Sequence, residues 1–113
     1  MDCIFCKIIN QELTAIIHHE NEHLIVLEDI APKAPVHRLI VPKKHIATLN
    51  DLNALDYDII SKMYAAAVMM AKSLDVSENG YRLVTNCNHD GGQTVFHIHM
   101  HFMAGRVFHW PPG

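Results

Sequence analysis

"VFHIHMHFM", residues 95–103, sets histidines at 97, 99 and 101 between Phe96, Ile98, Met100 and Phe102. A period of two is that of a β-strand, whose successive side chains leave on opposite faces. The pattern predicts a strand with His97, His99 and His101 on one face and the apolar set on the other. The apolar face can join a core, and the imidazole face is available for chemistry.

Outward from this strand the chain alternates between short extended runs and one long helix. Upstream lie a polar loop "CNHDGGQT" (87–94) and a strand "YRLVTN" (81–86). From Asp51 to Leu74 the residues Leu52, Leu55, Ile59, Met63, Ala67, Met70 and Leu74 recur at steps of three and four, the mark of an amphipathic helix on a sheet, ended by "SENG" (77–80). Near the N-terminus "CIFCKIINQEL" (3–13) reads as a short helix. "AIIHHE" (15–20) and "HLIVLED" (23–29) read as two strands joined by a turn at "ENE". Two prolines in "IAPKAPVH" (30–37) exclude helix and central strand, so this is a shaped loop before a third strand, "HRLIVP" (37–42). The order predicts an α+β domain with a five-stranded, mainly antiparallel sheet, one long helix and one short helix.

At 113 residues, half of them hydrophobic, residues 1–113 are read as a single domain with one core. The formal charge is −3, with only 9 Lys and Arg, so the broad basic footprint of a nucleic-acid-binding protein is missing. No apolar run approaches the roughly 20 residues that cross a bilayer, and "MDCIFCKII" lacks the pattern of a signal peptide. The expectation is a soluble, cytoplasmic protein without nucleic-acid or membrane partners. Three cysteines, an odd number, agree with a reducing compartment.

Three imidazoles at strict alternation, with seven further histidines in the chain, admit three readings. They are a solvated strand face, ligands to a zinc ion, or a nucleophile with neighbours that orient it. The adjoining loop favours the third. Gly91 and Gly92 let backbone N–H groups approach an anion, and the Gln93 amide and Thr94 hydroxyl can donate to phosphate oxygens.

"HIHMHFM" resembles the His-x-His-x-His-x-x signature of the histidine triad (HIT) superfamily, and "DGGQTVFHIHMH" (90–101) is similar to that family's active-site segment. "LEDIAPKAPVHRLIVPKKHI" (27–46) resembles its upstream segment, and "GRVFHWPPG" (105–113) the C-terminus of its nucleotide-binding Hint branch. The resemblance implies a HIT fold, a homodimer and cleavage of nucleoside phosphoramidates or adenylates, with a dinucleoside polyphosphate hydrolase or a zinc-stabilised nucleotide-binding interaction protein as the alternatives. It implies that His99 attacks the α-phosphorus to form a nucleotidyl-histidine intermediate, that His101 and Thr94 contact phosphate oxygens and the leaving group, and that His97 holds His99. His37 matches a further histidine near the site.

For the nucleotide, taken to be AMP or an amine conjugate of it, the resemblance implies Asp29 as the acceptor for the ribose hydroxyls. Ile30 becomes a wall of the base pocket, and Asn86 a contact to ribose or phosphate. Apolar contacts from Ile16–Ile17 would hold the purine. The tail around Trp110 would reach the partner's site. Thr94 stands where Ser is common, a change that keeps the hydroxyl. The cysteine pair of "CIFC" separates this chain from well-known Hint members. C-x-x-C spacing suits half of a tetrahedral zinc site, and the resemblance to zinc-containing triad proteins implies that Cys3, Cys6, His45 and His97 complete it. Zinc would be structural, with no metal required for the chemical step.

Overall fold

The elements run α1 (Ile4–Ile9), β1 (Ile17–Glu20), β2 (Leu24–Glu28), β3 (Val36–Pro42), α2 (Tyr57–Ser73), β4 (Tyr81–Val84), α3 (Asn88–Gly91) and β5 (Met100–Ala104). They come from a computed structural model that describes residues 2–113. The strands form one antiparallel sheet in the order β1-β2-β3-β5-β4. The architecture is α+β, as the strand and helix patterns predict.

β2 explains why the sheet has two covered faces. Its four residues Leu24 to Leu27 are each at most 2 % exposed. Leu24 and Val26 pack with Ile40, Met100 and Phe102 against Met63, Ala67 and Ala71 of α2. Ile25 and Leu27 turn the other way, to Leu39, Val41, Cys3 and Phe5 beneath α1. A strand covered on both faces reads as a continuous apolar run, as this one does. No helix among the described residues is long and apolar enough to cross a membrane.

Four expectations are corrected. The histidine ladder begins only at Met100; His97 precedes it in a bend and His99 in irregular chain outside the sheet. Pairing with β3 runs from Val36↔Ala104 to Ile40↔Met100 and stops. Beyond it, Ile98 N–H donates instead to Ile46 O at 2.8 Å, and the Pro42 carbonyl accepts from the His97 ring at 2.7 Å. The facing nevertheless alternates, with Ile98, Met100 and Phe102 buried.

The long helix starts at Tyr57, not Asp51, because Thr48 and Asp51 close a capping box around a separate 3₁₀ turn, Leu49–Asp51. Leu55, outside the helix, is 88 % exposed. The loop 87–94 contains a helical turn, α3, in addition to the two expected helices. Gly92 caps it with φ +82°, a left-handed conformation that glycine adopts without strain. The Gly92 and Gln93 N–H groups bond to the His89 and Asn88 carbonyls, so the glycine pair closes a helix rather than offering these donors to an anion.

Candidate active site

A cavity of about 780 Å³ opens between α1, the end of β2 and the segment leading into β5. Thr94, His99, His101, Asp29 and Ile30 are among the residues that line it. Its apolar wall comes from Ile4, Phe5, Ile8, Leu13, Ile16, Leu27 and Leu39. Ile30 stands at the rim, 96 % exposed. Ile16 lines the cavity, whereas Ile17, the next residue, does not. The contribution of α1 is absent from the sequence reading. Its only trace there is the spacing of Ile4 and Ile8, four apart on one side of a helix.

His99 is fixed by its backbone. Its Nδ1–H donates to the His97 carbonyl at 2.8 Å, which leaves the lone pair on Nε2. Phe5 meets this ring edge-on at a centroid distance of 5.1 Å, and the His101 ring lies 5.2 Å away. Neutral imidazole with Nε2 unprotonated is the nucleophilic form.

His101 belongs to a second cluster. His37 Nε2 lies 2.9 Å from His101 Nδ1 and 3.2 Å from Asp29 Oδ2. The other oxygen of Asp29 accepts from Ala31 N–H at 2.8 Å. Burial pushes the His101 pKa down to about 4, helped by His99 and His37 and opposed by the Asp29 carboxylate. His101 is therefore neutral at pH 7.

Gln93 and Asn86 lie outside the cavity lining. Gln93 is 7 % exposed; its side-chain N–H₂ donates to Ala47 O and Val95 O, and its Oε1 accepts from Asn88 N–H. Its side chain braces the loop that presents Thr94. Asn86 is half-buried beside Gly91, with its backbone 3.7 Å from where a Cβ on that glycine would stand. Gly92 is likewise absent from the lining. Trp110 is 83 % exposed at the far end of a tail held by Arg82, which donates to His109 O and flanks the Phe108 ring.

His97 points away from the cavity into a different constellation. Its ring is fully buried, and its Nε2–H donates to Pro42 O, so Nδ1 keeps its lone pair. That atom lies 3.3 Å from Cys3 Sγ, 3.6 Å from Cys6 Sγ and 3.1 Å from His45 Nδ1; Cys6 Sγ is 3.4 Å from His45 Nδ1. All four donor atoms lie within 4.8 Å of one another. Zinc bonds of about 2.0 Å to nitrogen and about 2.3 Å to sulfur imply tetrahedron edges of roughly 3.3 to 3.8 Å, so the donor set fits this ion. Burial raises the Cys6 thiol and lowers His97, and a cation among the four donors would favour the deprotonated form of each ligand.

Four likenesses bear on this arrangement. Residues 2–108 match the family model described as scavenger mRNA decapping enzyme C-term binding. The purine nucleoside phosphoramidase of Escherichia coli K12 is 40 % identical over 105 residues, covering 93 % of this chain and 88 % of that protein. Among solved structures, a HIT family hydrolase from Legionella pneumophila superposes with a TM-score of 0.97 at 46 % identity, covering 99 % of this chain and all of that one. A zinc-bound histidine triad protein from Mycobacterium smegmatis gives 0.83 at 30 % identity, with coverage of 94 % and 76 %. With its His-x-His-x-His segment at the wall of the cavity and these relatives spanning nearly its whole length, the chain belongs to the histidine triad (HIT) superfamily.

Proposed function

We propose that this protein is a purine nucleoside phosphoramidase, a hydrolase that cleaves the bond between the α-phosphorus of a nucleotide and an amine. The observation that carries the reading is the His99 ring, with its Nδ1–H tied to the His97 carbonyl and its Nε2 lone pair left for attack. His99 Nε2 bonds to phosphorus as the P–N bond breaks with its electron pair going to the amine nitrogen. Water then releases the mononucleotide from the nucleotidyl-histidine. His101 and Thr94 face the phosphate and leaving group, where charge develops. Asp29 accepts the ribose hydroxyls and the apolar wall from α1 takes the base. The test is to incubate the protein with an adenosine 5′-phosphoramidate and follow AMP. Turnover is expected, and its loss by at least a thousandfold in His99→Ala; a variant near the parent rate would overturn the assignment of the nucleophile. The match to a family named for a decapping enzyme favours one further assay, a dinucleoside polyphosphate in competition with the phosphoramidate.

The Cys3, Cys6, His45 and His97 set is proposed to hold a structural zinc, which when bound ties α1 to the catalytic segment. The donor distances and the zinc-bound relative support this. Thiolate ligands suit a reducing compartment, and the cytoplasm is the proposed location. The proposed assembly is a homodimer. The chain exposes 7169 Å², against roughly 6300 Å² expected for a monomer of this mass.

A further inference from the structure

Beside the nucleophile, the chain builds a second histidine pair whose polarity is set by the backbone. His37 is 3 % exposed at the start of β3. Its Nδ1 accepts a hydrogen bond from Lys33 N–H at 2.9 Å. A neutral imidazole that accepts at Nδ1 carries its proton on Nε2. That Nε2–H faces His101 Nδ1 at 2.9 Å and Asp29 Oδ2 at 3.2 Å. The same bond argues against a metal among Asp29, His37 and His101, because His37 Nε2 has no lone pair to give while Nδ1 is engaged.

The loop that supplies Lys33 N–H is held firmly. The Arg106 guanidinium donates twice to Lys33 O, at 3.0 and 3.2 Å. Gly105, with φ +98°, packs so closely that a Cβ there would lie 2.8 Å from Pro35 Cβ.

We propose that His37 is a positioning residue for His101: it keeps the resting proton of His101 on Nε2, the nitrogen away from His37, and Asp29 is the acceptor that lets His101 take up a second proton on Nδ1. The proposal rests on the phosphoramidase reading. Among the described residues His101 Nε2 bonds to no protein group, while the ring lines the cavity. The titratable groups around it are His37, Asp29 and His99.

Proton uptake and release balance over one turnover. Entry of the anionic substrate favours a second proton on His101, taken from solvent at Nδ1. Its hydrogen bond goes to Asp29 Oδ2, 3.8 Å away in the resting state, with His37 Nε2–H turned to the same carboxylate. His101 Nε2–H then protonates the departing amine as the P–N bond breaks, leaving His101 neutral with its proton on Nδ1. In the second step Nε2 takes a proton from water as the water oxygen bonds to phosphorus. The bond from His99 Nε2 to phosphorus breaks and its electron pair returns to that nitrogen. Loss of the Nδ1 proton to solvent restores the resting pair.

Two measurements on the full chain test this. Long-range ¹H–¹⁵N spectra of the imidazoles should show His101 with Nε2 protonated and Nδ1 bare; the opposite tautomer overturns the proposal whatever the kinetics give. In kinetics, His37→Leu should lower kcat about 100-fold or more for an alkylamine phosphoramidate of AMP, the range of a lost acid–base contribution. It should cost the p-nitrophenyl ester of AMP less than tenfold, because that leaving group departs without a proton. His37→Gln, whose side-chain N–H₂ can stand where Nε2–H stood, should recover most of the loss, and KM should move little. Equal losses on both substrates, or no loss, overturn the proposal. An inactive parent, or turnover that survives His99→Ala, would instead defeat the phosphoramidase reading, and the His101 tautomer would still decide this one.

Discussion

Single side chains in this protein are tuned by what surrounds them rather than by their identity. His97, His99 and His101 are the same residue at a two-residue spacing, yet one faces sulfur and nitrogen donors, one is tied to a carbonyl, and one is paired with a second histidine. The depressed His101 has a consequence for stability. In an unfolded chain an imidazole titrates near about 6.5, whereas burial holds this one at about 4. Between those values the unfolded state binds the extra proton, so the contribution is complete above about pH 6.5 and is lost progressively as pH falls toward about 4. His101→Asn removes the group. Over pH 7 to 4.5 the variant should lose less stability than the parent, by on the order of 2 kcal/mol. Urea unfolding at the two pH values measures this, and acid loss from the Cys/His cluster cancels because both proteins share it. Parallel losses would mean that His101 is not held neutral by its surroundings.

At the level of elements, α1 depends on its neighbours. Six residues are far too few for a helix to persist alone in water. This one is pinned by Phe5 under the sheet and by Cys3 and Cys6 facing His45 and His97. If zinc fills that set, protein purified without chelator or affinity tag should contain about one zinc per chain. Removing the metal, or changing Cys6→Ser, should lower Tm on the order of 10 °C and expose α1 to hydrogen exchange. A Tm and exchange pattern indifferent to chelator would leave the cysteines as core residues. The sequence makes the sheet strands and α2 legible because burial repeats along them with a fixed period. It hides α3, the 3₁₀ turn and the early end of the β5 ladder. The 3₁₀ turn rests on a short local box, Thr48 with Asp51, that the helical spacing of Leu52 and Leu55 masks, whereas α3 and the ladder end are decided by tertiary bonds, from Gln93 to Ala47 and from His97 to Pro42, that no local pattern announces. The same limit applies to the site. Alternation tells which face His97 and His99 share, but not that one ring turns to the cysteines and the other to the cavity.

Across the whole molecule, the two edges of the sheet are not alike. β1 is interrupted by an irregularity between Ile17 and His19 and carries polar side-chain contacts, His18 with Glu28 and the ion pair Glu20 with Lys43, which are devices that discourage another strand from pairing there. β4 reads Tyr-Arg-Leu-Val, and its one charge, Arg82, is turned to the tail at His109. Near its end Thr85 shares a hollow with Tyr64 of α2, which is 52 % exposed, and Tyr57 and Val68 on that helix are exposed as well. An open strand edge beside exposed apolar residues is a surface that a second copy of this chain can cover by extending the sheet. Light scattering at micromolar concentration should therefore give twice the 12.8 kDa chain mass. Leu83→Pro, which removes an N–H and bends the edge, should shift the mass toward the monomer; a parent that is already monomeric would end the dimer reading. The tail supplies a second arm. Phe108 lies against both Arg82 and Arg106, so the chain leaves β5 in a fixed direction before Trp110 projects into solvent. If that projection ends at the partner's cavity, deleting residues 109–113 should change the ranking of amine leaving groups while Tm stays within a few degrees. An unchanged ranking would assign the tail to packing alone.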